Sequence, residues 1–338
     1  MYAQFEFVAG GNFGIIEEKM DLKNFISIDW GTSNLRIRVV EMPSLNIIEE
    51  VISNHGIKKV YNNWLNSNEE RENYFLEILH KELLKLDFPF TNESTILMSG
   101  MGSSSIGLRE LPYADIPFDR SGSDLSIELI NPENKPFAIQ LISGVKTSSD
   151  VMRGEEVQLI GLLDKEDLKR SVVFILPGTH SKHIYCDSGV VNDFHTFMTG
   201  ELFDVISKQT ILKNSIEKDE MHQSEFKSFE EGVIHANSKN SILNTLFKVR
   251  TNSLFKEKTL TENFYFLSGL LIGEELKVLM NSNVDCIKLC AGGELFELYY
   301  TAIEALGLIS KTGVVAQEIV DAAVIKGQFR ILQNKSNW

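Results

Sequence analysis

Ile28-Asp29-Trp30-Gly31-Thr32-Ser33-Asn34 closes one apolar run, Phe25 to Asp29, and leads into a second, Leu35 to Glu41. The pattern predicts a β-hairpin whose turn holds an acid, a glycine and small hydroxyl and amide residues. A phosphate needs those residue types. Gly31 lets the backbone come close, and the N–H groups and side chains of Thr32, Ser33 and Asn34 can donate to phosphate oxygens. The Asp29 carboxylate can hold Mg²⁺ directly or through water. An ordinary hairpin turn uses the same residues, so the stretch alone leaves both readings open.

A related turn, Leu176-Pro177-Gly178-Thr179-His180-Ser181-Lys182, lies between the β-branched run Ser171 to Leu176 and a second strand, His183 to Asp187. Gly178 and Thr179 could wrap a terminal phosphate from the opposite side, with His180 and Lys182 available to neutralise developing charge. A third turn, Leu289-Cys290-Ala291-Gly292-Gly293-Glu294-Leu295, joins a strand to a helix. Without Cβ atoms, Gly292 and Gly293 let an adenine or ribose lie against the backbone, and the new helix offers free N–H groups. A tight strand-to-helix connection, with Glu294 complementing the helix dipole, would look the same.

Around these turns the chain reads as an echo of two halves. In the first, a third strand is expected over Asn46 to Ser53, a helix over Asn68 to Leu86 and strands over Ser94 to Ser99 and Phe137 to Ser143. The Gly-, Ser- and Pro-rich stretch Gly100 to Asp124 is expected to be a long loop. Val151 to Leu163 reads as helical, and the charged stretch Asp164 to Arg170 marks the expected boundary. The second half is mostly helical, with helices expected over Gly200 to Leu212, Glu225 to Asn237, Asn263 to Met280, Glu294 to Leu306 and Gln317 to Leu332, and a strand near Asp285 to Cys290. The expected organisation is an extension over 1–22, a first domain over 23–165 and a second over 166–338.

With 338 residues, 43% of them hydrophobic, the chain can bury two ordinary cores with a cleft between them. A formal charge of −14 gives no electrostatic footprint for nucleic acid or an anionic membrane, which leaves small ligands as the expected partners. Local N–H groups and a metal can still hold phosphates on an acidic chain. Cys186, Cys286 and Cys290 show neither C-x-x-C spacing nor paired histidines and read as core thiols. No signal-peptide pattern and no membrane-length apolar segment occurs, so a cytoplasmic location is expected. Met20 could itself be a start. A homodimer is admitted, but nothing in the sequence requires it.

DWGTSN, LPGTHSK and CAGGEL, in that order, resemble the phosphate-1, phosphate-2 and adenosine segments of the actin/hexokinase-like superfamily. VMRGEEVQLIG at Val151 to Gly161, PGTHSKH, NDFHTFMTGEL at Asn192 to Leu202 and FLSGLLIGEE at Phe266 to Glu275 are similar to the 2-dehydro-3-deoxygalactonokinase family. The likeness runs from about Phe25 to Gly327. It implies an α/β fold of two ribonuclease H-like, actin-like ATPase domains of related βββαβα topology, closing on ATP and a sugar acid. The implied activity is ATP- and Mg²⁺-dependent phosphorylation of 2-dehydro-3-deoxy-D-galactonate at its terminal hydroxyl, within galactonate catabolism.

Such a kinase needs a carboxylate near the transferring phosphate. In related sugar kinases it lies at a helix start just ahead of the second phosphate turn, where this chain has Arg153-Gly154-Glu155-Glu156. The favoured base is Glu155. Relatives commonly use Asp there, and Glu155 and Glu156 project roughly 100° apart around a helix, so only one can face the substrate. Asp150 is the reserve. Arg153 could pair with the acceptor's carboxylate or serve as a structural ion-pair partner. The loop Ser99 to Ser104 resembles the family's amino-domain loop; its Gly100, Met101 and Ser103, with Arg109 and Tyr113, could contact the sugar. Thr199-Gly200-Glu201 reads as a helix start whose family likeness points to the cleft. The alternatives are a kinase of another sugar or sugar acid on the same fold, and a nucleotide-dependent sugar sensor or filament-forming actin-like protein. No helix-turn-helix or basic segment favours a DNA-binding regulator.

Overall fold

Asn24 to Trp30 is buried at nearly every position, the pattern of a strand covered on both faces, whereas Leu35 to Glu41 alternates buried apolar residues with more exposed arginines. The computed structural model describes residues 24–335, so the extension expected over 1–22 lies outside the described residues. Within them, β1 (Asn24–Trp30) pairs antiparallel with β2 (Leu35–Glu41), and β2 pairs with β3 (Ile47–Ser53). On its other side β1 pairs in parallel with β4 (Ile96–Gly100), which carries β6 (Ile139–Ile142) and then β5 (Ile127–Ile130) at the far edge.

The second half repeats this order. β7 (Ser171–Leu176), β8 (Ser181–Asp187) and β9 (Val190–Phe197) form an antiparallel run. β10 (Cys286–Leu289) and β11 (Thr312–Val314) add in parallel beside β7. In both sheets the first strand is central, with its antiparallel partners on one side and later parallel strands on the other, to which the first sheet adds β5 as an antiparallel edge. This duplicated arrangement is the two-domain ribonuclease H-like, actin-like ATPase fold. Phe118 and Asp119, from the first half of the sequence, pair with β9 and extend the second sheet.

The helices are α1 (Ile57–Trp64), α2 (Arg71–Leu83), α3 (Glu155–Leu162), α4 (Thr199–Gln209), α5 (Gln223–Ala236), α6 (Leu260–Leu276), α7 (Gly293–Ala305) and α8 (Ala323–Lys335), besides shorter turns. α6 is apolar nearly all round and correspondingly buried; Thr259 and Glu262 form a capping box at its start. α8 returns to the first half and packs on α3. There Gln328 donates to the Ile28 carbonyl, and Arg330 donates to the carbonyls of Ile160 and Leu163 at the end of α3. One apolar cluster accordingly joins Phe25, Val157, Phe174 and Ile331 across the two halves. Among the described residues, no helix is long and apolar enough to cross a membrane.

Several elements depart from expectation. The helix expected over Val151 to Leu163 begins only at Glu155, because Val151 and Met152 pair with Val145 and Lys146 in a short ladder. The helix expected over Gln317 to Leu332 is two, Gln317–Asp321 and Ala323–Lys335. The helix α1, the edge strands β5 and β11, and the short helices within 242–254 were not anticipated. The stretch Gly100 to Asp124 contains two-residue strands at Ala114–Asp115 and Phe118–Asp119.

Candidate active site

The hairpin turn after β1, the end of β4, the segment ahead of α3 and the facing walls of β8 and β9 enclose a cavity of about 570 Å³. A second cavity of about 370 Å³ shares Thr32, Glu155, Gln158 and His180 with it and extends along Leu176 to Thr179 and Cys290 to Gly292. The three sequence-distant turns therefore open onto one connected space.

Glycine geometry sets α3 into this space. Gly154 has φ +107°, and a Cβ there would stand 3.2 Å from Cα of Gly100. Gly100 is itself at φ +91°, with the Trp30 carbonyl 2.8 Å from where its own Cβ would be. Only two glycines allow the tip of α3 to rest directly on the end of β4, beside the turn that carries Asp29. Glu155 Oε2 accepts from the Arg153 N–H at 3.0 Å, and its side chain lines both cavities. Glu156 turns inward. It is 1% exposed, lines neither cavity and accepts from the Gly154 N–H at 2.9 and 2.7 Å. Burial, and then the neighbouring Glu155 charge, push its carboxyl up to about 8.

Asp150 lines the larger cavity, but its oxygens are taken by the N–H of Val151 at 2.7 Å, the N–H of Thr196 at 2.6 Å and the Thr196 hydroxyl at 2.8 Å. Thr196 Oγ1 in turn accepts from Lys182 Nζ at 2.6 Å, and Lys182 also reaches the Val151 carbonyl at 3.3 Å. Thr196 was not singled out from sequence. It lies on β9, and only the antiparallel register opposite Lys182 exposes its role.

Asp29 sits half-buried at the end of β1, 3.5 Å from Arg36 across the hairpin. Burial raises its pKa despite the opposing pull of Arg36 and Arg38. No group of three or more His, Cys, Asp or Glu residues that could hold a metal occurs among the described residues. A lone carboxylate beside a phosphate-type turn nevertheless fits Mg²⁺, which takes one or two protein oxygens and completes its shell with waters and substrate phosphates.

Gly31, Thr32, Gly100, Met101 and Tyr113 line the larger cavity, and Gly178, Thr179 and Gly292 line the smaller. His180 is exposed, lines both, and places Nε2 2.7 Å from Glu201 Oε2. The structure does not bring every expected residue to the cavities. Ser33 and Asn34 are exposed and line neither cavity, and Gly293, the first residue of α7, does not line them either. Ser103 is fully buried. Arg109 forks onto Glu72 at 2.7 and 2.5 Å and bonds Glu128 at 2.5 Å, away from the cleft. The Arg153 guanidinium stacks over Tyr113 at 4.1 Å and donates to the Ser103 carbonyl and hydroxyl at 2.5 and 2.6 Å, which pins the loop carrying Gly100 and Met101.

A third, more apolar cavity of about 180 Å³ adjoins Gly178, Thr199 and Leu295 and is walled by Phe203, Phe264, Leu271 and Leu298. These residues come from α4, α6 and α7, and in sequence they read only as core-facing positions of separate helices.

The family model described as 2-keto-3-deoxy-galactonokinase matches residues 29–331. The 2-dehydro-3-deoxygalactonokinase of Escherichia coli (strain K12) is 30% identical over 292 residues, covering 84% of this chain and 90% of the relative. A provisionally named 2-dehydro-3-deoxygalactonokinase of Rhizobium meliloti (strain 1021) is 29% identical over 294 residues, with the same two coverages of 84% and 90%. A solved structure from Sinorhizobium meliloti, provisionally assigned as a 2-dehydro-3-deoxygalactonokinase protein, superposes with a TM-score of 0.76 at 28% identity, covering 91% of this chain and 96% of the other. The match spans all three turns, and the chain belongs to the 2-keto-3-deoxy-galactonokinase family.

Proposed function

We propose that the protein phosphorylates 2-dehydro-3-deoxy-D-galactonate at its terminal hydroxyl with ATP, giving the 6-phosphate and ADP in galactonate catabolism. The observation that carries this is the convergence of the three turns on one connected space with Glu155 in its wall, in a chain of this family.

The acceptor oxygen attacks the γ-phosphorus as the bond to the β,γ-bridging oxygen breaks; the hydroxyl proton passes to Glu155 and ADP leaves. Gly31 and Thr32 on one side, and Gly178 and Thr179 on the other, hold the phosphates through backbone N–H groups and hydroxyls. Asp29 would hold Mg²⁺, which supplies charge neutralisation on those phosphates. The apolar cavity beside Gly178 and Leu295 suits the adenine, with Gly292 under the ribose. Gly100, Met101 and Tyr113 present the sugar acid. Closure of the halves expected over 23–165 and 166–338 would exclude water, the competing acceptor. We take the enzyme to work in the cytoplasm, which supplies ATP and keeps its cysteines reduced; a homodimer is the assembly for light scattering to test.

The test is a coupled ADP-release assay with ATP, Mg²⁺ and 2-dehydro-3-deoxygalactonate, its gluconate epimer, galactonate and simple hexoses. Preference for the first compound supports the proposal. Turnover on another acceptor replaces the substrate, and ATP consumption at one rate with or without acceptor overturns phosphotransfer.

A further inference from the structure

Three basic side chains line the larger cavity among the described residues: Arg153, His180 and Lys182. Two are engaged by neighbours. The Arg153 guanidinium donates to Ser103 and to the Leu111 carbonyl at 3.4 Å and lies over the Tyr113 ring, while its Nε is buried without a partner. His180 is engaged with Glu201. Lys182, like Arg153, forms no ion pair with a carboxylate among the described residues, but unlike Arg153 it is not held against an aromatic ring; it is 5% exposed. Its bonds go to neutral oxygens, Thr196 Oγ1 at 2.6 Å and the Val151 carbonyl at 3.3 Å. An ammonium has three N–H donors, so one remains.

The holding of this side chain is specific. Thr196 gives its hydroxyl proton to Asp150, so the same oxygen presents its lone pairs to Lys182. The ammonium is thus fixed in the cavity wall by a relay that neutralises it only at second hand. A buried cation without an adjacent counter-charge is costly, and an anionic ligand that completes its coordination recovers that cost. The cavity it faces includes Gly100, Met101 and Tyr113 as well as the Asp29, Gly31 and Thr32 turn, while the smaller cavity carries the Gly178 and Gly292 turns.

We propose that Lys182 determines acceptor specificity by pairing with the carboxylate of a 2-oxo sugar acid, rather than by contacting the transferred phosphate. This rests on the phosphotransfer reading above and deepens it. The pair selects a sugar acid over a neutral sugar of the same size, because a neutral acceptor leaves the buried ammonium without its counter-charge. Lys182 acts on binding, so its removal falls on KM for the acceptor.

The experiment compares 2-dehydro-3-deoxygalactonate with its C1 carboxamide in the wild-type enzyme and in Lys182→Met, with Lys182→Arg as the charge-retaining control. In the wild type the acid is expected to have a KM about 10- to 100-fold below the amide's, the range of a charge-assisted hydrogen bond. In Lys182→Met the acid's KM rises to the amide's, the amide's KM and the KM for ATP move less than threefold, and Lys182→Arg regains part of the preference. A raised KM for ATP, an equal loss of acid and amide turnover, or an undiminished preference for the acid overturns the inference. If Lys182→Met does not fold, equal use of acid and amide by the wild type overturns it. Retention of the preference in Lys182→Gln, which keeps a donor for Thr196, does the same. Absence of any acceptor-dependent ADP release in the wild type would instead remove the phosphotransfer reading.

Discussion

His183 Nε2 stands 3.0 Å from Glu275 Oε1, and both side chains are sealed from solvent. The same carboxylate accepts from Ser181 Oγ at 2.6 Å, from the Tyr299 hydroxyl at 2.7 Å and from the Thr199 hydroxyl. Glu275 on α6 therefore ties the strand that follows the second turn to the start of α4 and the middle of α7. Burial in this cluster raises the pKa of Tyr299, so its phenol stays a donor.

Glu275→Gln keeps the shape but points an amide at groups that all donate. The expected loss is roughly 1–3 kcal/mol of stability. Urea unfolding measures it, and a higher KM for ATP should accompany it as the Gly178 and Thr179 turn shifts. A variant as stable as the wild type, with unchanged KM for ATP, would remove Glu275 from this role.

Gly154→Ala tests the contact that sets α3. An alanine at φ +107° is strained by about 1–3 kcal/mol even before its methyl group meets Gly100. Relief of that strain moves Glu155, so kcat should fall by more than tenfold while the KM for ATP changes little. Steady-state kinetics alongside a thermal melt separates this from general unfolding.

Glu156 gives a pH signature. Its folded pKa of about 8 lies above the ordinary glutamate value of 4.5, so between those values the unfolded chain holds fewer protons than the folded one. Its contribution to stability is complete below about pH 4.5 and is lost as pH rises through about 8. The slope is at most roughly 1.4 kcal/mol per pH unit. Glu156→Gln, neutral throughout, should gain on the wild type in melting temperature as pH rises from 5 to 9. A constant difference between the two proteins would show that Glu156 is ionised in the folded state.

The hairpins at Trp30 to Asn34 and Pro177 to Lys182 were legible because turn residues interrupt apolar runs, a local signal. The family likeness supplied their pairing across a cleft, which periodicity could not reach. The orientation of adjacent acids was not legible. Glu155 and Glu156 are equivalent in composition, and the backbone turn at Gly154 sends one to the cavity and the other to the interior. Arg109 looked like a sugar contact because it lies in the right loop, but Glu72, from a helix 37 residues earlier, holds it elsewhere. Thr196 and the apolar cavity depend on register and helix packing, which no short window of sequence encodes.

Glu155 and Asp150 both line the larger cavity, and their hydrogen bonds separate their expected roles. Asp150 accepts from three donors, two of them backbone N–H groups, so both of its oxygens are already engaged in holding the Val151 and Thr196 segments. Glu155 has one such bond, to the Arg153 N–H, and stands where the two cavities meet. Glu155→Gln should lower kcat by about 10²–10⁴-fold, the usual worth of general-base catalysis, with little change in melting temperature. Asp150→Asn leaves one N–H or O–H donor facing an amide, so it should cost roughly 1–3 kcal/mol of stability and raise the acceptor KM through Lys182. Its kcat should fall less than tenfold. The reverse pattern, with kcat abolished in Asp150→Asn and retained in Glu155→Gln, would move the base to Asp150 and make Glu155 a binding residue.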